Sequence, residues 1–392
     1  MVRQVTSWFI DQAESHTSEP VRKFYIGNSD YSDYVHRWPS FSRTWDSVRP
    51  TNLTVNLSNE DKTFNFFISD RINLVNSCSI QLGYTHITSG DELIDFYNGM
   101  ITKVSYGNGT AKISIEDKFK PLSEKLIGTQ DTPIDYTGSN HLPSDLAWYI
   151  CTSHGGLDAT QSSANTDIDY DSFQTWAAIF SSDAVYLEGR FTGQKCTDAL
   201  RRISRVTRSS INIKANKIAF QRFSLVDSLS TVITEDSNLG ITLDLDDKSI
   251  INKQHMLFNY DTTSKYHSNS LIHINTMSVN SYGAHEEVEK DNKVWYVDSP
   301  SANNAAQRTV LTKGLPYNSL EVITAANGIV SEIGDMIQLT ESHLDISAET
   351  YRIMSSKYNL DTLKCSFKID ASQLNNAFVL NTSSLNGSDI LS

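Results

Sequence analysis

Polar and apolar residues alternate in the run Asn52-Leu53-Thr54-Val55-Asn56-Leu57, and this pattern decides the fold of the chain. A period of two places all three aliphatic side chains on one face of an extended strand. Similar stretches occur on both sides of residue 100, and the turn-forming pair Asn108-Gly109 precedes one of them. Their apolar positions are Cys78, Ile80, Leu82 and Tyr84, and then Ala111, Ile113 and Ile115. We therefore predict an antiparallel β-barrel in the first part of the chain.

Helical periodicity replaces this alternation in the middle of the chain. A first helix is predicted to begin at Pro143 and to end at Gly155-Gly156, because proline favours the first helical turn and glycine the C-terminus. A second helix, with Asp171 as its predicted N-cap, carries one apolar stripe, and a third begins at Thr197. A hairpin across Ala215-Asn216 completes a small α+β segment.

The period of two returns from Gly240 onward and predicts a second set of strands. One helix interrupts this set and is expected to end at Gly314. The strands are marked by Leu243 and Leu245, Ile272 and Ile274, Ile337 and Leu339, Tyr351 and Ile353, and by the alternating residues Leu363, Cys365, Phe367 and Ile369.

The order of these patterns predicts a β-rich α+β chain with two tube-type antiparallel β-barrel domains and an inserted small α+β domain. Hydrophobic residues make up 39% of the 392 residues, which is enough to build cores in a chain of this length. The predicted units are an N-terminal arm over 1–22, a first barrel over 23–128, the inserted domain over 129–238, a second barrel over 239–378 and a flexible C-terminal tail over 379–392.

The charge of the chain limits its partners. Its 33 lysines and arginines and 46 acidic residues give a formal net charge of −13. Such a surface repels phosphate backbones and anionic lipid headgroups, so nucleic acid is not expected to be held as a ligand. The sequence has no run of roughly 18 apolar residues, and its first residues lack the pattern of a signal peptide. We therefore expect a soluble protein, made in a cytoplasm, without a membrane-spanning segment.

Sequence patterns typical of catalysis or metal binding are absent. There is no GxSxG, Walker or GxGxxG motif, and the stretch His285-Glu286-Glu287-Val288-Glu289 lacks the second histidine of a zinc-binding HExxH motif. Four cysteines lie far apart in the sequence and are expected to be buried thiols. They are Cys78, Cys151, Cys196 and Cys365. We predict no catalytic residue, no cofactor and no metal ligand, and hence no enzyme activity.

Two acidic runs contain enough oxygen atoms for a cation. In the first, Tyr170 and Trp176 stand where a calcium loop needs glycine and glutamate, so we favour a polar strand leading to the helix cap over a calcium site. The second run lies on a predicted strand and is expected to face water. The first run consists of Asn165, Asp167, Asp169 and Asp171, and the second of Asp244, Asp246 and Asp247.

Three further features have both a structural and a functional interpretation. Acidic residues are plentiful enough for a glycosidase pair, but nothing in the sequence singles out two of them. Trp38 and Trp45 could stack on sugar rings, although core packing or a subunit contact is the favoured interpretation. The arginines of the third helix are expected to form a solvated or subunit-contacting face, with an anion site as the alternative. They are Arg201, Arg202, Arg205 and Arg208.

Several loose motifs follow one another in a fixed order along the chain. They are Asp30-Tyr31-Ser32-Asp33-Tyr34-Val35 with Trp38 and Phe41-Ser42-Arg43, then Phe96-Tyr97-Asn98-Gly99-Met100-Ile101, Ile113-Ser114-Ile115-Glu116-Asp117-Lys118, and Ile333-Gly334-Asp335-Met336-Ile337-Gln338-Leu339-Thr340 before Tyr351-Arg352-Ile353. In this order, and with a barrel, insert and barrel arrangement, the chain resembles the hub proteins at the distal end of bacteriophage tails. This baseplate hub or tail-tip family is also found in contractile injection systems.

The resemblance implies a structural role in a virion. Such hubs are homotrimers whose two barrels per chain form a pseudo-sixfold ring, which continues the tail tube and leaves a channel for DNA. The implied partners are the tail tube or distal tail protein, the central spike or fibre protein and the tape measure protein, with genomic DNA only as passing cargo. The implied location is the tail tip or baseplate, assembled in the cytoplasm of the host bacterium. Acidic side chains facing the channel would keep DNA from adhering.

Two other functions are compatible with the composition. The first is a carbohydrate-binding or receptor-binding β-rich module of a phage or bacterial surface, which needs exposed aromatic clusters near Trp38 and Trp45. The second is a polysaccharide-degrading enzyme, which needs two carboxylates facing each other across a groove. Mass in solution separates the hub, which is expected to be a trimer, from a monomeric sugar-binding module.

Overall fold

The structure is a computed structural model that describes residues 5–14, 20–45, 50–69, 77–86, 90–137, 141–222, 229–246 and 250–370. Within these ranges the chain is rich in β-structure, and its two largest sheets are curled into half-barrels. The predicted C-terminal tail over 379–392 and Asp247 lie outside the described residues.

The first part of the chain forms the first large sheet. Its elements are α1 (Ser7–Glu14), β1 (Val21–Ile26), β2 (Ser29–Asp30), β3 (Val35–Arg37), β4 (Ser40–Thr44), β5 (Asn52–Ser58), α2 (Phe66–Ser69), β6 (Ser77–His86), β7 (Gly90–Gly107) and β8 (Thr110–Asp117). Seven of the strands pair antiparallel in the order β2-β1-β6-β7-β8-β5-β3. The alternating run at 52–57 is β5, and its three aliphatic side chains are buried as predicted. The Asn108-Gly109 turn joins β7 to β8, also as predicted.

Helices and short strands make up the middle of the chain. They are α3 (Lys120–Glu124), β9 (Leu126–Ile127), β10 (Ile134–Tyr136), α4 (Pro143–Tyr149), α5 (Tyr170–Ser182), β11 (Leu187–Phe191), β12 (Gln194–Lys195), α6 (Cys196–Thr207), β13 (Ser209–Lys214) and β14 (Lys217–Arg222). A π-helical turn, Ile150–His154, prolongs α4 up to the predicted glycines. The predicted hairpin is β13–β14, and both residues of its Ala215-Asn216 turn have positive φ angles.

The N-cap of α5 is Asp169, so the prediction of Asp171 was wrong. Asp169 has an extended backbone, and its carboxylate accepts a hydrogen bond from the backbone N–H of Ser172. Asp171 already lies in the first helical turn, where its carboxylate is close to the positive end of the helix dipole. Asp169 and Asp171 have the same side chain, and the backbone conformation decides which of them caps the helix.

The last part of the chain contains the second large sheet. Its elements are β15 (Leu229–Ile233), β16 (Asn238–Asp246), β17 (Lys253–Asp261), β18 (Tyr266–Ile274), α7 (Thr276–Tyr282), β19 (Glu286–Glu289), β20 (Val294–Tyr296), α8 (Ser299–Lys313), β21 (Tyr317–Thr324), β22 (Met336–Glu341), β23 (Ile346–Asn359) and β24 (Lys364–Asp370). The sheet order is β15-β22-β23-β24-β21-β16. Helix α8 ends at Gly314 as predicted.

Two details of this last part differ from prediction. The second large sheet is not wholly antiparallel, because β15 pairs parallel to β22. About a hundred residues separate these two strands, so no hairpin fixes their relative direction. Leu363 is not a strand residue. It has a φ of +54 in the turn that precedes β24.

Strand β4 connects the two large sheets. It belongs to the first part of the chain but pairs antiparallel with β23, with Ser40 opposite Asn359 and Thr44 opposite Ser355. The two sheets also share one hydrophobic core, which draws residues from both, and Phe9 of α1 is buried in it. The described part of the predicted N-terminal arm is therefore packed against the sheets.

A second hydrophobic core lies in the middle of the chain. It contains residues of α4, α5 and α6, and it also contains Met256 and Phe258 of β17 and three alanines of α8. Strands β17, β18 and β19 form a separate sheet in the order β18-β17-β19. The segment 253–313 thus packs largely on the middle core, although it was assigned by sequence to the second barrel. The domain boundaries at 128, 238 and 378 stay predictions.

Candidate functional site

A cluster of buried charges joins the β13–β14 hairpin to the second large sheet. We call Arg43, Lys214, Glu332 and Asp335 the junction cluster. Nζ of Lys214 lies 2.5 Å from Oδ1 of Asp335, and only 1% and 3% of the two side chains are exposed. Nη1 of Arg43 lies 3.4 Å from Oε1 of Glu332. The cluster therefore brings together residues from β4, from β13 and from the loop before β22.

Hydrogen bonds to the backbone complete this cluster. The backbone N–H of Ala215 donates to both carboxylate oxygens of Glu332, at 3.1 and 3.0 Å, and the N–H of Glu332 donates to Asp335 at 2.9 Å. Arg43 donates to the carbonyl oxygen of Ile213 at 3.0 Å. Such partners are required because a buried charge without them costs several kcal/mol. Burial opposes the charged form of Lys214, but attraction by Asp335 and Glu332 outweighs it and raises the pKa of Lys214.

Gly334 allows the backbone to approach the hairpin closely. Its φ is +82, and a Cβ atom there would lie 2.0 Å from Oε1 of Gln221 and 2.6 Å from the ring of Trp45. The carbonyl oxygen of Gly334 accepts a hydrogen bond from buried Arg352 at 2.8 Å, and the guanidinium of Arg352 lies 5.4 Å from the centre of the Trp45 ring. The Gly-Asp pair of the ordered motifs is thus explained by packing at this junction.

The junction cluster is suited to holding the structure together. Glu332 and Asp335 are two carboxylates that the structure brings together at this junction. The sequence marked Asp335 only as part of an ordered motif, and it did not mark Glu332. Both are buried, and each already binds a cation and a backbone N–H. Hydrolysis of a glycoside requires two carboxylates on either side of an accessible sugar, which this arrangement does not provide. The one available sequence signal was the Gly334-Asp335 motif, which gives no indication of its partners.

The arginine face of α6 is paired within the chain. Arg202 and Arg205 both contact Asp291, at 2.6 and 3.0 Å, and Arg205 also contacts Glu289 at 2.9 Å. Burial raises the pKa of Glu289, and the charges of Arg205 and Arg208 limit that rise. Two further pairs are Arg201 with Asp198 and Arg208 with Glu287. The face is therefore only partly solvated, because it is paired with Asp198 of α6 itself and with carboxylates on and just after β19.

The first acidic run supports its own loop. The side-chain amide of Asn165 donates to the carbonyl oxygens of Asp158 and Thr160, both at 2.8 Å. Asp167 pairs with Lys118 at 3.2 Å, and Asp169 caps α5. Among the residues that the structure describes, no group of three or more histidine, cysteine, aspartate or glutamate side chains is placed to hold a metal ion. In the second run, Asp244 is exposed on β16.

The tryptophans near β4 are covered by arginines. Trp38 packs partly buried against the shared core, and the guanidinium of Arg22 lies 5.3 Å from its ring centre. Trp45 lies under Arg352. The prediction that Trp38 packs on the core is thus confirmed, and neither ring forms an open platform for a sugar.

The predicted burial of the four cysteines is confirmed, and all four are free thiols. Burial raises the pKa of Cys78 to about 12 and that of Cys196 to about 11.

A cavity of about 370 Å³ lies beside the first turn of α6. Two of the cations that line it are already paired, Lys120 with Glu116 and Arg201 with Asp198. No described helix combines the length and the apolar character needed to cross a bilayer.

Three solved structures resemble the chain over almost its whole length. The tail protein from Neisseria meningitidis MC58 has a TM-score of 0.58 and 9% identity, over 90% of this chain and 97% of that one. The 43 kDa tail protein of prophage MuSo2 from Shewanella oneidensis has a TM-score of 0.53 and 11% identity, over 90% and 98%. A prophage tail protein from Listeria monocytogenes EGD-e has a TM-score of 0.53 and 12% identity, over 89% and 94%.

No protein-family model and no curated protein sequence matches the chain. At identities of 9 to 12% the structural matches establish a common fold. The chain therefore has the fold of these tail proteins, and the resemblance found in the ordered motifs is confirmed at the level of the fold.

Proposed function

We propose that the chain is a structural hub protein at the tip or baseplate of a phage-type tail. The observation that carries this proposal is the extent of the fold match, which covers 89 to 90% of this chain and 94 to 98% of three tail proteins. The match leaves no large part of either chain unaccounted for. Fold alone does not determine function, so the role and the assembly described next are parts of the proposal.

In this proposal three copies form a ring. Each chain contributes two barrel-type units, built around the two large sheets, so a trimer has six similar units around its axis. The ring continues the tail tube, contacts a tube or distal tail protein above and a spike or fibre protein below, and adjoins the tape measure protein. The shared core and β4 support the proposal, because they hold the two sheets of one chain at a fixed spacing.

We propose that the middle core is the inserted domain, and that it includes the segment 253–313 as well as residues 129–222. The hydrophobic contacts of β17 and α8 support this revision of the sequence-based boundaries. Part of the charge of −13 is proposed to face the central channel, where carboxylates repel passing DNA. The protein resides in the virion and is assembled in the host cytoplasm.

The proposed role is not catalytic. The buried ion pairs of Glu332 and Asp335, and the arginines that cover Trp38 and Trp45, favour a structural protein over a glycosidase or a sugar-binding module. Light scattering on the purified chain tests the proposal. The chain of 43.9 kDa is expected to form a trimer of about 132 kDa, either alone or with its tail partners. A strict monomer that binds oligosaccharide would contradict it.

A further inference from the structure

The buried ion pair of the junction cluster places an amine against a carboxyl group. Nζ of Lys214 lies 2.5 Å from Oδ1 of Asp335, and the two side chains are 1% and 3% exposed. A lysine amine that has lost its proton is a nucleophile, because its nitrogen then has a free lone pair. The carbon atom that it can attack, Cγ of Asp335, is one bond beyond Oδ1. The two reacting groups are therefore already in contact in the folded chain.

The second oxygen of the Asp335 carboxyl group is held by the backbone. Oδ2 accepts a hydrogen bond from the N–H of Glu332 at 2.9 Å. An N–H in this position stabilises the negative charge that develops on Oδ2 when a nucleophile adds to Cγ. Groups held in such contact within one chain can react as if their concentration were about 10⁵–10⁸ M. The geometry therefore favours attack on this carboxyl group.

Burial favours an uncharged product at this place. Two buried charges are costly even when they are paired, and an amide carries no charge. Burial raises the pKa of Asp335, which makes its protonated form easier to reach. Burial alone would lower the pKa of Lys214, but attraction by Asp335 and Glu332 raises it, so the neutral amine is a minor form and the reaction is slow. Newly made chains are therefore expected to contain the ion pair, and the product is expected to accumulate with time.

We propose that Lys214 and Asp335 form an intramolecular isopeptide bond. First, a proton moves from Nζ to Oδ1, which gives a neutral amine and a carboxylic acid. The lone pair of Nζ then attacks Cγ, and a second proton passes from Nζ to Oδ1. The bond between Cγ and Oδ1 breaks, Oδ1 leaves as water, and one N–H remains in the amide. The atoms balance without a further reactant.

The bond has a structural consequence that does not depend on the proposed function. It joins the β13–β14 hairpin covalently to the loop before β22, across 121 positions of sequence. The middle core and the second large sheet are then linked by a bond that denaturants do not break.

Mass spectrometry of the intact, folded chain tests the bond. The purified chain is kept at neutral pH and sampled over time, and its mass is expected to fall by that of one water molecule. Protease digestion is expected to yield a branched peptide that contains both Lys214 and Asp335. Lys23 and Asp30 are the matched control within the same chain. They form a pair at 3.0 Å with side chains that are 27% and 38% exposed, and they are expected to stay in unlinked peptides.

Lys214→Arg is the variant that separates this bond from other losses of water. It keeps a cation beside Asp335, but a guanidinium group stays protonated and does not attack a carboxyl group, so its mass is expected to stay constant. Circular dichroism confirms that each chain is folded before the masses are compared.

A folded wild-type chain whose mass stays constant through prolonged incubation overturns the proposal, whether or not the variant folds. A loss of water that maps to other residues, or that also occurs in folded Lys214→Arg, overturns it as well. The branched peptide in the wild type supports it.

Discussion

Lys214 on β13 and Asp335 before β22 form a buried ion pair across 121 positions of sequence. The pair fixes the end of the β13–β14 hairpin against the second large sheet. Arg43 of β4 joins the same cluster by its ion pair with Glu332. The middle core, the second sheet and the strand that connects the two sheets therefore meet at one cluster. The stability of the whole chain is expected to depend on it.

Replacing one member of the pair should be costly. Lys214→Met leaves Asp335 buried without its cation, which is expected to lower the free energy of unfolding by about 3–5 kcal/mol. Urea unfolding followed by fluorescence measures this change. The double variant Lys214→Met with Asp335→Leu should recover a large part of the loss, because no buried charge is then left unpaired.

Lys23→Met is the matched control for this prediction. Lys23 forms a partly exposed ion pair with Asp30 at 3.0 Å, and its loss should cost less than about 1 kcal/mol. If Lys23→Met and Lys214→Met lowered the free energy of unfolding by equal amounts, the junction cluster would not stabilise the fold.

Gly334→Ala should destabilise the chain through crowding as well as through its backbone conformation. The φ of +82 disfavours any L-residue, and the added methyl group would meet Gln221 and Trp45. Gly193→Ala is the control, because Gly193 has a φ of +98 but no atom within 4 Å of the added Cβ. Thermal unfolding is expected to show that Gly334→Ala lowers the free energy of unfolding by about 1–3 kcal/mol more than Gly193→Ala does. Similar losses would refute the close packing at Gly334.

Phe41 is the main apolar contact of β4 with both large sheets. Its ring centre lies 5.2 Å from Phe96 of β7 and 5.2 Å from Tyr358 of β23. Phe41→Ala is expected to lower the free energy of unfolding by about 3–5 kcal/mol. Tyr266→Ala, at an exposed aromatic residue, should change it by less than about 0.5 kcal/mol. Chemical denaturation of the two variants gives this comparison, and an effect below about 1 kcal/mol for Phe41→Ala would contradict the prediction.

Buried thiols should make the chain less stable in alkali. Burial raises the pKa of Cys78 from the ordinary 9.0 to about 12. The contribution of this thiol to the free energy of unfolding is therefore complete below pH 9 and is lost as the pH rises toward 12. Between about pH 8 and about pH 10 the free energy of unfolding of the wild type should fall by about 1 kcal/mol more than that of Cys78→Ala. The variant has no thiol at position 78 that could release a proton on unfolding. Urea unfolding at the two pH values measures the difference. Equal losses would mean that Cys78 is not protected by burial.

The strands were predictable where their pattern is local. The alternation around Val55 requires no knowledge of distant residues, and β5, β6 and β8 lie where it placed them. The partner of β4 could not be predicted, because Phe41 pairs with Tyr358, more than three hundred residues away. The same limit applies to the site. Lys214 looks like an ordinary surface charge in the sequence, and Asp335 is marked only by its motif with Gly334. Only the tertiary fold brings the two together.

The arginines of α6 show how an interpretation changes with partners that are distant in sequence. Arg205 fits a solvated helical face by periodicity, but Glu289 and Asp291 approach it from 84 and 86 residues away. A related limit applies to the segment 253–313, which the sequence assigned to the second barrel and whose β17 and α8 pack on the middle core. Alternation identifies a strand such as β18 but does not say which sheet it joins.

Electron microscopy of the assembled tail, or of the purified oligomer, along its axis tests the central claim most directly. The hub proposal predicts a ring of three chains with a central pore and six similar units around it. A ring of another symmetry, or tail particles that contain the chain without such a ring, would contradict it.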